Sequence, residues 1–161
     1  ASWSRGLGDV YKRQIETLRL EKGYRAWSSD IGPDHTPDEA GLGWAVTMKS
    51  NISFKGRDAI ATQRAEGIKK IMATFTTDSN VILSGRETIY RNGERCGWLS
   101  SAGFGHTIGK FIGMGYVRSD GYIDHDFVLS GDYELEVATK RVRANVCLKP
   151  LYDPKLEKVK T

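Results

Sequence analysis

Ile89-Tyr90-Arg91-Asn92-Gly93-Glu94-Arg95-Cys96-Gly97-Trp98-Leu99 is the stretch that decides how the second half of this chain folds. Two β-prone runs flank Asn92-Gly93, a pair that accepts the left-handed backbone of a type I′ turn and so joins two twisted strands tightly. An antiparallel hairpin is the expected result. Upstream, Ile71, Ala73 and Phe75 alternate with Lys70, Met72 and Thr74, the period of a strand with one buried face. Downstream, Phe111 to Val117, Tyr133 to Val137 and Arg141 to Leu148 read as further strands. Short strands at this spacing predict a small antiparallel barrel or sandwich.

Before residue 67 the character differs. Ile15 to Glu21 reads as the end of a helix, with Ile15 and Leu18 on one face and Gly23 as its stop. Asp30 to Asp38 is polar and holds Pro33 and Pro37, so it is a loop. Gly41-Leu42-Gly43-Trp44-Ala45-Val46 reads as an apolar, glycine-spaced strand, and Asp58 to Glu66 as a short helix stopped by Gly67. The expected class is α+β, divided near residue 67, with a β-barrel over 68–150 and a charged tail over 151–161.

Composition excludes more than it assigns. The chain has 161 residues, 39% of them hydrophobic and 27% charged, and its net charge is +4. No run of about 18 apolar residues is present, so no membrane-spanning helix is expected. Cys96 and Cys147 form no disulfide framework and read as two unpaired thiols. His35, His106 and His125 lack metal-ligand spacing, so no metal site is expected. Ser100 and Ser101 lack the context of a nucleophile elbow.

Ser4-Arg5-Gly6-Leu7-Gly8-Asp9-Val10-Tyr11-Lys12-Arg13-Gln14 reads back, codon for codon, into a transposase sequencing adapter ending in its mosaic end. Residues 1–14 are therefore expected to be an adapter-derived artefact, with the true gene continuing upstream of Ile15. Without Arg5, Lys12, Arg13 and Asp9 the net charge falls from +4 to +2. No basic stripe remains, and no nucleic-acid partner is expected.

Four motifs carry a family resemblance. Arg19-Leu20-Glu21-Lys22-Gly23-Tyr24-Arg25-Ala26-Trp27 resembles the Arg-Leu-Glu segment of the glycine cleavage T-protein and its aminomethyltransferase relatives. Thr36-Pro37-Asp38-Glu39-Ala40-Gly41-Leu42-Gly43-Trp44 resembles the family's Thr-Pro-x-Glu-Ala-x-Leu-x-Trp signature, and Phe54-Lys55-Gly56-Arg57-Asp58-Ala59 its Phe-x-Gly-Arg-x-Ala step. Gly97 to Lys110, with Gly113-Met114-Gly115-Tyr116-Val117, is similar to its C-terminal barrel signature. In order, they cover essentially all of residues 15–161. Tyr24 to Trp27 and Gly103 to Gly109 look closest to the flavin-dependent dehydrogenases of dimethylglycine and sarcosine.

The resemblance implies that residues 15–67 are the C-terminal remnant of the family's folate-binding domain. Such a remnant should expose apolar surface. It implies the tetrahydrofolate-binding, one-carbon-transfer portion of an N-methyl amine dehydrogenase, forming methylenetetrahydrofolate. FAD and the catalytic residues are expected upstream of Ile15, so this chain holds no catalytic residue and should not turn over alone. Its partners would be folate and a small N-methyl amine. The compartment would be cytoplasmic for a bacterial source and the mitochondrial matrix for a eukaryotic one. Alternatives within the family are a T-protein proper and a non-catalytic regulatory subunit of the same architecture.

Glu21 stands at the family position for a bidentate contact to the pterin ring, with a salt bridge to Arg19, Lys22 or Arg25 as the structural alternative. Tyr24 and Trp27 are three apart, so on a helical turn they would share a face and stack against a flat heterocycle. Arg57, with Lys49, would suit the carboxylates of the folate's glutamate. Trp44, Trp98 and Tyr116 are expected to be packing residues.

Overall fold

The computed structural model describes residues 14–50, 52–158 and 160. All of Ser4–Gln14 except Gln14 lies outside them. Helix α1 (14–21) leads into a run of turns. Helix α2 (Arg57–Glu66) follows, then strands β1 (Ile68–Thr77), β2 (Thr88–Arg91), β3 (Glu94–Gly105) and β4 (Lys110–Ile123). A short helix, α3 (His125–Leu129), precedes β5 (Tyr133–Val137) and β6 (Lys140–Cys147). The six strands close into an antiparallel barrel in the order β1-β4-β3-β2-β5-β6.

The β2–β3 hairpin turns at Asn92 and Gly93, whose φ angles of 53° and 86° match the expected type I′ geometry. Its tip is tied down. The Asn92 side-chain oxygen accepts from Asp132 N–H at 2.9 Å, and Asn92 N–H donates to the Asp132 carbonyl at 2.8 Å.

The barrel interior is filled from alternate positions: Ile71, Ala73 and Phe75 of β1 meet Ile89, Leu99, Val117 and Leu135. Burying each of the larger side chains is worth roughly 1.5–3 kcal/mol. Space for them is made by glycine. Phe75 pairs with Gly113 across the ladder, and a Cβ on Gly113 would lie 2.5 Å from Leu99 Cδ1.

Three local readings are corrected. First, β1 is buried on both faces from Ile71 to Thr77, not on one. Its outward Met72 packs with Leu20, Ile112, Met114 and Tyr116 in a second apolar cluster, because the segment from α1 to Ala40 lies over this side of the sheet. Met72 N–H donates to the Glu39 carbonyl at 2.9 Å, stitching that cover to the strand. Second, Gly41–Val46 is no strand. Ala40, Gly41 and Leu42 donate N–H bonds back to Thr36, Asp38 and Pro37, and a 3-10 turn follows at Gly43–Ala45. The apolar residues there follow turn geometry, and Trp44 is 83% exposed instead of packed. Third, α1 ends at Glu21, and Gly23 (φ 69°) turns the chain away, so Tyr24 and Trp27 share no helical face.

Apolar surface is exposed on the N-terminal segment as expected: Ile15, Leu18, Tyr24, Trp27, Trp44 and Ile52 all stand open.

Candidate functional site

The expected site residues meet the barrel along the cover segment. Glu21 is 2% exposed. Its carboxylate accepts the N–H groups of Thr107 (2.6 Å) and Ile108 (3.2 Å) in the β3–β4 turn, and its carbonyl accepts Tyr152 N–H at 2.9 Å. No ion pair joins it to Arg19, Lys22 or Arg25. The acid therefore clamps a turn of the barrel to the end of α1 through one oxygen, Oε1, which takes both bonds.

Tyr24 and Trp27 are 61% and 68% exposed, so their ring faces are open to a flat molecule. Arg57, at the first position of α2, donates to the carbonyls of Ile52 and Met48, each at 3.0 Å. Its fork closes the loop before the helix. Lys49 is exposed. Among the described residues, no hydrogen bond, ion pair or ring contact joins any two of Glu21, Tyr24, Trp27 and Arg57. Trp98 is partly exposed, and Tyr116 is buried at 5%.

A hub that the sequence did not disclose lies between them. Asp30, read above only as part of a loop, is fully buried. Its carboxylate accepts from Arg19 (2.7 Å), Ser100 Oγ (2.5 Å), Ser101 Oγ (2.7 Å) and Ala26 N–H (2.9 Å). Arg19 also donates to Ser101 Oγ and to the Tyr24 carbonyl. Adjacent residues of a regular strand point to opposite faces, but the β3–β4 register shifts between Leu99 and Ser101. That bulge lets both hydroxyls reach one acid. The serine pair was the available signal, since two consecutive hydroxyls in the apolar, glycine-rich part of the strand after Arg95 call for a buried partner.

Tyr116 donates its hydroxyl to the Asp30 carbonyl at 3.1 Å and stacks on His35, with centroids 4.6 Å apart. Burial raises the Tyr116 phenol well above its ordinary range, and the nearby Glu39 and Asp30 charges raise it further. It stays a donor. Burial lowers the Arg25 guanidinium, with Tyr116 and Asp30 opposing the shift. Arg25 is held by the carbonyls of Ala40 and Gly23. The hub thus fixes the Tyr24–Trp27 stretch against the barrel. Among the described residues, no group of His, Cys, Asp and Glu has metal-binding geometry.

The family described as the glycine cleavage T-protein C-terminal barrel domain matches residues 70–153, and the GCVT N-terminal domain matches residues 4–50. The second match begins within the segment read as adapter-derived. Mitochondrial sarcosine dehydrogenase of Mus musculus is 40% identical over 96% of this chain, which spans 17% of that protein. The mitochondrial pyruvate dehydrogenase phosphatase regulatory subunit of the same species is 31% identical over 91% of the chain, which spans 18% of it. A crystal structure of the glycine cleavage system aminomethyltransferase T from Bartonella henselae superposes with a TM-score of 0.73 at 25% identity, covering 86% of this chain and 38% of that one.

Proposed function

This chain belongs to the glycine cleavage T-protein family, and from that membership we propose that it is the tetrahydrofolate-handling part of a flavin-dependent N-methyl amine dehydrogenase, with sarcosine as the first substrate to test. What carries the reading is the likeness to sarcosine dehydrogenase, which runs through both the cover segment and the barrel. Bound folate would supply the nitrogen that captures a one-carbon unit, giving methylenetetrahydrofolate.

Of this chain's own residues, Tyr24 and Trp27 fit such a ligand. Both rings are exposed, while the backbone between them is anchored through Ala26 to the buried Asp30. An exposed ring on a fixed backbone stacks with less loss of freedom than one on a mobile loop. Glu21 would make a bidentate contact to a pterin only after its Oε1 released Thr107 and Ile108, so its role in this reading is to position the turn. Arg57 spends one N–H of each terminal nitrogen on the carbonyls of its own loop, so a carboxylate would have to meet its remaining N–H groups. No residue of this chain is assigned to FAD.

Saturation-transfer NMR of the 161-residue chain with tetrahydrofolate tests the proposal. Transfer to the pterin protons, abolished by Trp27→Ala in a folded chain, is expected. Absence of transfer, or transfer that Trp27→Ala leaves unchanged, would refute it.

A further inference from the structure

The cover segment ends at Glu39 on the outer face of β1 and β4, and beyond it a cleft of about 690 Å³ opens. Five cationic side chains line it against three acids. One acid, Glu39, is already engaged: it accepts Thr36 N–H and faces Lys70 Nζ at 3.5 Å. The ladder makes the imbalance sharper. Lys70 and Arg118 are direct cross-strand partners of like charge, and of the two only Lys70 has polar partners, Glu39 and the Asp34 carbonyl, among the described residues.

Arg118 lies over the Trp98 indole, its guanidinium carbon 4.2 Å from the ring centroid. A guanidinium over a ring keeps its N–H edge free to donate. Among the described residues that edge has no hydrogen-bond acceptor and no carboxylate, and neither has the Arg95 side chain. A planar fork, pre-oriented by a ring and left without an acid, is the arrangement that takes a carboxylate or phosphate bidentately.

We propose that this cleft binds a compact oxyanion ligand carrying two or more carboxylate or phosphate groups, with Arg118 as its bidentate contact and Lys69, Lys70 and Arg95 supplying the remaining charge. The site uses none of Glu21, Tyr24, Trp27 or Arg57, and so stands independently of the folate reading. Arg118, the member of the opposed Lys70–Arg118 pair that has no acid beside it among the described residues, would be neutralised on binding, so the ligand should stabilise the barrel as well as occupy it.

The test is a titration of the full chain with citrate and, separately, pyrophosphate, at constant ionic strength set with sodium chloride and followed by amide and indole NMR. Saturable shifts at residues 95–98 and 118–120, including the Trp98 indole N–H, are expected. Arg118→Gln should weaken the affinity at least tenfold, whereas Arg143→Gln, a mostly exposed arginine outside the cleft, should leave it unchanged. If Arg118→Gln fails to fold, Arg95→Gln on the exposed hairpin serves in its place, with at least a threefold loss expected. Saturation by citrate alone names a carboxylate ligand, and by pyrophosphate alone a phosphate ligand. Shifts that grow linearly without saturating, that map elsewhere, or that both cleft variants leave intact overturn the proposal.

Discussion

Replacing Glu21 by alanine separates two uses of one carboxylate. The side chain holds two backbone N–H groups of the β3–β4 turn, at 2.6 and 3.2 Å, from a position 2% exposed. A hydrogen bond to a charged group contributes roughly 1.5–3 kcal/mol. The longer bond belongs at the bottom of that range, and Thr107 is exposed enough for water to take up part of the loss. A net destabilisation of about 2–4 kcal/mol follows. At roughly 2–4 °C per kcal/mol for a chain of this size, Tm should fall by about 5–15 °C. Glu21→Gln keeps an acceptor oxygen and should lose about half as much. Urea unfolding monitored by circular dichroism gives the stability, and saturation transfer from tetrahydrofolate gives binding in the same samples. If Glu21→Ala stays within about 0.5 kcal/mol of the parent while folate binding disappears, the carboxylate is a ligand group and the clamp argument is wrong.

Asp30→Ala should be more severe, about 3–5 kcal/mol, because it removes the buried acid of the largely buried Arg19, leaving it only the half-exposed Glu16, and strands the Ser100 and Ser101 hydroxyls; amide exchange should then quicken first at Ala26 and Met72, which the cover holds. Thr139→Gly should stabilise the chain by about 0.5–1 kcal/mol, since Ala138 and Thr139 turn the β5–β6 hairpin with φ of 47° and 69° and neither residue favours that region; an unchanged melting curve would contradict this. Burial pushes the Cys96 thiol up to about 11 and the Tyr133 phenol up to about 12. The folded chain then retains protons that the unfolded chain releases, so stability is intact below the thiol's ordinary value of 9.0 and falls as pH rises through 11 and then 12. Urea midpoints across that range should drop, less steeply in Cys96→Ala, and a flat profile would count against the burial argument.

What was legible in the sequence was local. Asn92-Gly93 and the alternation in β1 announced hairpin and strand because both patterns act over a few neighbouring residues. The glycine-spaced stretch at Gly41–Val46 misled, since apolar residues between glycines suit a strand and a turn alike, and only the partnering of their N–H groups decides. Glu21 was singled out, but its donors lie 86 and 87 positions away, where no spacing rule reaches. Asp30 was passed over for the same reason: its serines are 70 and 71 positions downstream, brought to one side by a bulge that no residue type marks. Trp44 illustrates a different limit, because a large ring says nothing by itself about whether anything covers it.

The long reach of the Asp30 hub also sets a timetable for synthesis. When Asp30 leaves the ribosome its two serines do not yet exist. At about 5–20 residues per second, the 70 residues that separate them take roughly 4–14 s to make. The barrel closes later still, because β1 must await β6, the last strand translated. Throughout that interval Leu20 and Ala40 have no sheet to cover, and Asp30 can hold only Arg19 and its local backbone. A nascent chain arrested between residues 50 and 95 should therefore be a better substrate for hydrophobic holdases and proteases than one released at full length.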